Sequence, residues 1–380
     1  KSGQPWMVWE WGADVIAGAI HRTAGLGGIA LFYGLAIGVA TWMWFRLAWT
    51  AGANFLLACA FAAPMLSTAS LHWLARPHVL GWVFMLATAL IAEQMPRTLD
   101  RLSLAGLGLL SAVWANLHAS FLFAPVVFLL YAVGVLSARG LWMQERRSQP
   151  YFAAAAATLI GSLLNPYGWH LHQHVFGYLA DSALLDRIGE FQSFNFHSAG
   201  ATQIVLGLAL VFAGVFASLN IRRPERMMLL ALLAVASIRS ARALPIAGLV
   251  GLPLACASIS ESLSLARGLS RPVRKALDSF LAYGDRLREL DRPFNGLALV
   301  PVIALLSLLW VAPRASFPTN EVPVRAAASV ATLPSGARIF STDKFGGYLI
   351  YRFDGSRKVF FDGRSDFYGA DFLESYGRMI

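Results

Sequence analysis

Acids, imidazoles and guanidinium groups recur in this sequence at the ends of apolar runs, and their types limit the chemistry open to them. Glu10 and Asp14 stand four residues apart, so on a helix they share one face. Arg76 and His78 flank Pro77, where the chain must turn, and His72 precedes them. Asn116 lies beside His118, Asn165 beside Tyr167, and Arg239 and Arg242 sit three apart between two short apolar runs. A carboxylate takes a proton from an acceptor hydroxyl, and guanidinium binds phosphate bidentately. Together these groups suit transfer of a group from a lipid phosphate. Each also has a plainer role, which stays open here. Glu10 and Asp14 fit a solvated surface, Arg76 and His78 a loop bonding its own backbone, Arg239 and Arg242 a positive loop, and the two Asn pairs helix caps.

Other chemistries lack their residues. There is no Ser/His/Asp spacing signature, Walker loop or dinucleotide fingerprint. His170, His172 and His174 alternate, so a helix would place the first and third on one face and the second elsewhere, with no carboxylate at a diagnostic spacing. We read them as interface histidines bonded by loop backbone and assign no metal ligand. No cofactor is expected, and a divalent metal is allowed but not indicated. Cys59 and Cys256 both fall inside apolar runs, which excludes a disulfide scaffold and a cysteine-ligated zinc site.

The elements that position these groups follow from composition. The 380 residues are 57% hydrophobic and 14% charged, against about 25% charged for soluble domains, and mean hydropathy is +0.57. Apolar segments near 25–45, 52–69, 79–94, 103–117, 119–137, 151–165, 202–219, 227–238, 243–258 and 295–312 predict an all-α polytopic membrane protein of about ten transmembrane helices. Several are shorter than the ~20 residues of a perpendicular span, as helices lining a cavity can be.

With residues 1–24 outside, sixteen Lys and Arg residues fall in cytoplasmic loops and six in outer ones, leaving aside the tail after Ala312. That bias sets orientation, so the net charge of +10 reads as topology rather than nucleic-acid binding. All eight histidines then fall at the outer side, where ionisable groups at membrane depth mark a site. The organisation expected is a transmembrane domain over 1–312, with a first outer loop at 1–24, a long outer loop at 166–201 and a cytoplasmic loop at 259–293. A small extracytoplasmic α/β domain over 313–380 follows, expected to be incomplete, with a helix near 322–332 and strands at 337–341, 348–353 and 358–361.

A family resemblance rests on specific stretches. Gly3, Gln4, Pro5 and Trp6, followed by Trp9, Glu10, Trp11 and Asp14, resemble the first extracytoplasmic loop of bacterial GT-C glycosyltransferases of the family 39-like kind. These are multi-span enzymes that use polyprenyl-phosphate sugars. The stretch from Trp114 through Asn116 and His118 to Ser120 is similar to uncharacterised members of that superfamily. So are Leu164, Asn165, Pro166, Tyr167, Gly168 and Trp169, and, in the tail, residues 346–350 and 361–366. The resemblance covers nearly the whole chain.

It implies a catalytic acid in the first outer loop, for which Glu10 and Asp14 are available, and inversion at the anomeric carbon. His72, Arg76, His78, Asn116, His118, Asn165, Tyr167, Arg239 and Arg242 then line the substrate. Members carry one more span before this loop and an acidic residue shortly after it, whereas this chain opens at Lys1. We therefore expect an N-terminal truncation, with the base either at Glu10 or Asp14 or upstream of Lys1; in the second case the two acids bind acceptor or orient the loop. The partners implied are a polyprenyl-phosphate-linked sugar, the lipid bilayer and a cell-envelope glycan, lipid or protein acceptor, in a bacterial inner membrane. A transporter or lipid flippase with an outward-facing polar cavity is the rival reading, and a scaffold whose tail binds envelope partners a third.

Overall fold

A computed structural model describes residues 6–143 and 146–379. Gly3, Gln4 and Pro5, which carry part of the resemblance, and Lys1, where the expected truncation falls, lie outside the described residues. The described residues are helical, with no strand among them. The order is α1 (Trp11–Ala51), α2 (Phe55–Ala69), α3 (His78–Glu93), α4 (Arg101–Leu117), α5 (Phe123–Trp142), α6 (Gln149–Gly161), α7 (Trp169–Ala180) and α8 (Ser182–Leu185). Then come α9 (Ala201–Asn220), α10 (Pro224–Arg239), α11 (Leu244–Ile246), which runs through a π-helical turn into α12 (Leu252–Ser264), α13 (Arg271–Asp291) and α14 (Leu299–Leu306). The last four are α15 (Ala326–Ala331), α16 (Asp343–Arg352), α17 (Ser365–Tyr368) and α18 (Ala370–Gly377).

The chain divides into two compact units. The larger comprises Val8–Val175 and Gly189–Ala312; the smaller comprises residues 6–7, Phe176–Ile188 and 313–379. In the larger unit, helix starts are set by side chains. Asn54 Oδ1 accepts from Leu56 N–H at 3.1 Å to cap α2, and Asp100 Oδ1 accepts from Ser103 N–H at 2.8 Å to cap α4. Trp44, Leu47, Trp114, Phe121, Phe128 and Tyr131 form the buried core, and the Trp44 indole donates to Gly248 O at 3.0 Å. Large apolar side chains also face outward, including Leu109, Leu136, Phe216 and Val235, a surface that suits a bilayer better than water. Among the described residues five helices are long and apolar enough to cross a membrane: Trp11–Ala51, Phe55–His72, Ala119–Trp142, Ala201–Asn220 and Ala241–Ser264. His78–Glu93, Arg101–Leu117 and Leu299–Arg314 are shorter apolar helices.

Three expected loops contain helix. Residues 11–24 belong to α1, which breaks at Gly25, where φ is 60° and ψ is −157°. Only glycine adopts that backbone without strain, so 11–24 and 26–51 form two separately directed stretches. Trp169–Ala180 forms α7 inside the expected outer loop 166–201, and α13 fills most of the expected cytoplasmic loop 259–293.

The packing of α4 on α6 depends on close backbone approach. A Cβ built on Gly161 would stand 2.1 Å from Gly108 O and 2.6 Å from its Cα. Small residues permit such contacts between apolar helices. Gly161→Val is expected to cost about 1–3 kcal/mol through overpacking, read as a lower melting midpoint in detergent, while Leu159→Val on the exposed side of the same helix leaves the midpoint unchanged.

Where α3, α5 and α10 meet, the unit buries charge. Glu93 is bound by Arg226 Nε at 3.0 Å, by the Tyr131 hydroxyl at 2.6 Å and by Arg223 Nη2 at 3.4 Å. Glu225, fully buried, takes Arg146 at 2.6 and 3.2 Å and Arg223 Nε at 2.7 Å. Arg226 Nη2 also donates to Ala51 O at 2.9 Å, tying the end of α1 to the same cluster.

In the smaller unit, α16 takes up residues 348–352 of the strand expected at 348–353. Of the two other expected strands only one isolated parallel bridge forms, Ile339 with Val359. The apolar cores here are Ala327, Tyr348 and Leu349 packed with Phe317 and Val330, and Phe361, Tyr368 and Tyr376 packed with Phe360 and Phe372. The turn at 362–366 pairs its own charges, with Arg364 Nε donating to Asp362 Oδ1 at 2.9 Å over a left-handed Gly363.

Candidate functional site

The site grows from the turn after α4. His118 ends that helix in extended backbone, and the N–H of Ser120 donates to its Nδ1 at 3.1 Å. A backbone N–H only donates, so Nδ1 is an acceptor and the ring proton sits on Nε2. Ser120 Oγ lies 2.6 Å from the same Nδ1 and accepts from the Trp114 indole at 3.0 Å. This chain of donors fixes both tautomer and ring orientation. Nε2 faces Glu10 Oε1 at 3.4 Å. Burial pushes the His118 imidazole down to about 3, with Arg242 and His78 adding to the effect, so the contact with Glu10 joins a neutral imidazole N–H and a carboxylate. α3 passes close over this turn because residue 81 is glycine: a Cβ there would stand 2.7 Å from Ser120 Oγ.

Two more histidines continue the cluster. The His78 ring lies 6.4 Å from that of His118 and 5.8 Å from that of His72, and His78 Nε2 contacts His72 O at 2.8 Å. Beyond them Glu190 stands between two cations, accepting from Arg76 Nη1 at 3.2 Å and facing Arg242 Nε at 3.9 Å. Burial raises the Glu190 carboxyl, but Arg242 and Arg76 outweigh it and hold the group below its ordinary range. Its loop is pinned by Ser240 Oγ donating to Glu190 O at 3.1 Å and by Ala241 N–H donating to Gln192 O at 2.8 Å. Arg242 also lies over the Phe191 ring at 5.0 Å.

Glu10, His118, His78, His72, Arg76 and Arg242 therefore form a continuous patch, with Glu190 between its cations. Charge balance was the signal for Glu190, since two arginines on a face poor in cations call for an acid in the long loop. The other expected residues act differently. Asn116 takes the Trp11 indole N–H at 2.8 Å and donates to Leu164 O at 2.9 Å, so it ties the start of α1 to α4 and to the turn after α6. The Tyr167 hydroxyl accepts from Val8 N–H at 3.1 Å and so anchors the segment carrying Glu10. Asn165 is used within its own loop, bonding Ser162 O, Gly168 O and Tyr167 N–H. Asp14 is exposed on α1, and its charge together with that of Glu10 reaches Tyr33. Arg239 is exposed at the end of α10 and shares none of the contacts that hold Arg242.

The alternating histidines separate. His172 is buried against Trp169 and Ser162 Oγ, His170 bonds Gln173, and His174 meets Trp9 edge-on at 5.0 Å. No group of three His, Cys, Asp or Glu side chains able to hold a metal occurs among the described residues. No protein-family model matches the sequence, and no curated protein matches it.

Proposed function

We propose that the protein is a membrane glycosyltransferase of GT-C type that takes a sugar from a polyprenyl-phosphate donor. The observation that carries this reading is a carboxylate held beside an imidazole N–H, Glu10 with His118, in the same patch as the guanidinium pair Arg76 and Arg242. In the reaction the acceptor hydroxyl oxygen attacks the anomeric carbon, and the bond from that carbon to the phosphate oxygen breaks. The hydroxyl proton passes to Glu10, and polyprenyl phosphate leaves with the bonding pair. One base and no nucleophile support direct displacement with inversion. The carboxylate of Glu190 now occupies the place between the two guanidiniums, so a donor phosphate binds by displacing it.

The proposal includes ten spans: α1 from residue 26, α2 to α6, α9, α10, α11 with α12, and α14. The cation bias puts the His78 end of α3 outside and the Arg226 end of α10 in the cytoplasm. The bilayer is a bacterial inner membrane, residues 313–380 lie on its outer side, and the acceptor is a cell-envelope glycan, lipid or protein. A transporter or flippase is favoured by one observation alone, the buried charges Glu93, Arg226 and Glu225 inside the bundle.

One experiment separates the two. Proteoliposomes are supplied with labelled polyprenyl-phosphate sugar and an envelope extract as acceptor. Label transfer that falls about 10- to 100-fold in Arg242→Gln, as expected for loss of one charged phosphate contact, supports the enzyme. Movement of the donor across sealed vesicles without transfer overturns it.

A further inference from the structure

At the opposite end of α1 from Glu10 lies a cavity of about 900 Å³. It is lined by Arg46, Trp49 and Thr50 of α1, by Asp285 to Leu290 of α13 except Leu287, and by Arg292 and Asn295. Helix α13 is pinned beside it. A Cβ on Gly284 would fall 2.2 Å from the Asn54 side chain, whose Nδ2 donates to Leu281 O at 3.0 Å, and Arg288 Nη2 donates to Trp49 O at 2.9 Å.

The charges around the cavity do not balance. Four guanidiniums, Arg46, Arg286, Arg288 and Arg292, face two carboxylates, Asp285 and Glu289, which leaves an excess of two positive charges. Glu289 is engaged by Arg292 at 3.3 Å. Arg46 bonds the neutral amide of Asn295, Arg288 bonds a carbonyl, and Arg286 makes no ion pair among the described residues. Three guanidiniums without a carboxylate and a surplus of two charges match one ligand chemistry: a dianionic phosphate, whose oxygens accept from guanidinium forks.

We infer that this cavity is a second binding site, for a phosphomonoester or diphosphate group. The group comes either from a soluble phosphorylated compound or from an anionic lipid headgroup. Under the orientation proposed above the site faces the cytoplasm. It shares no residue with the Glu10 patch, so its test is independent of the transfer reaction.

The full chain is placed in nanodiscs of phosphatidylcholine, and its melting midpoint is followed under two probes. One is inorganic pyrophosphate added to solution, and the other is phosphatidic acid at 20 mol% in the disc. A rise with pyrophosphate assigns a soluble ligand; a rise with phosphatidic acid alone assigns a headgroup. In either case Arg286→Gln, which removes no side-chain hydrogen bond or ion pair among the described residues, is expected to weaken the response about tenfold, and Arg46→Gln likewise. No response to either probe overturns the inference, as does an equal response from wild type and Arg286→Gln.

Discussion

Arg226→Met is expected to remove about 3–5 kcal/mol of stability, enough to deplete folded protein from the membrane fraction, while adding Glu93→Leu to the same chain restores most of it. The reason is asymmetry. Glu93 and Arg226 are 1% and 3% exposed, and the carboxylate takes both Nε and Nη2 of Arg226. Without that arginine Glu93 keeps the Tyr131 hydroxyl and the more distant Arg223, too little to offset its desolvation, and Ala51 O loses its donor. Removing both charges leaves apolar side chains of similar volume among apolar helices, a change that is often neutral. The midpoint of each variant in dodecyl maltoside, with the folded yield from size-exclusion, reads the result. A single variant as stable as wild type would show that packing alone holds α3 to α10. A double variant as poor as the single would show that the lost contact to α1 matters more than the stranded charge.

This network shows where sequence reading stops. Arg146, Arg223 and Arg226 were legible as cations on one side of the membrane, but their partners were not, because an acid closing an apolar run, as Glu93 does, looks like any helix end. Helix α13 was legible and passed over. Val273, Leu277, Phe280, Gly284 and Leu287 repeat at helical spacing behind Pro272, yet the segment's charges made it read as a loop. Residues 348–353 are apolar throughout, and so short a run does not distinguish helix from strand. In the patch, Glu10, His72, Arg76, His78 and His118 were legible because they cluster at helix ends on one side. Glu190 was legible only as an acid in the long outer loop, and the contacts of Glu190 and Ser120 were not, since what they do depends on which loops meet. The same holds for Asn116 and Tyr167, whose bonds to Trp11 and Val8 cross more than a hundred residues.

Glu10→Gln is expected to lower transfer about 10²- to 10⁴-fold, the range for removal of a general base, with KM for the donor little changed, because the amide keeps the shape and loses only the proton acceptor. Asp14→Asn, on the exposed face of α1, is expected to change transfer far less. In the proposed reaction His118 acts through Glu10 as a positioning residue. Its Nε2–H is aimed by Ser120 and Trp114 at the carboxylate, so His118→Gln, which retains a donor, should retain more activity than His118→Ala. The pH profile separates this role from that of a base. Burial lowers the His118 imidazole to about 3, so the folded protein binds a proton there only near that pH, whereas the unfolded chain binds one near 6.5. The stabilising effect of the neutral ring is complete above about 6.5 and is lost as pH falls toward 3. Between pH 5.5 and 7.5 the ring does not titrate in the folded protein, and the profiles of wild type and His118→Gln should have the same shape at different heights. A limb near pH 6.5 that disappears in His118→Gln would make the imidazole the base and Glu10 its support. Full activity in Glu10→Gln would remove the proton acceptor on which the proposed reaction depends.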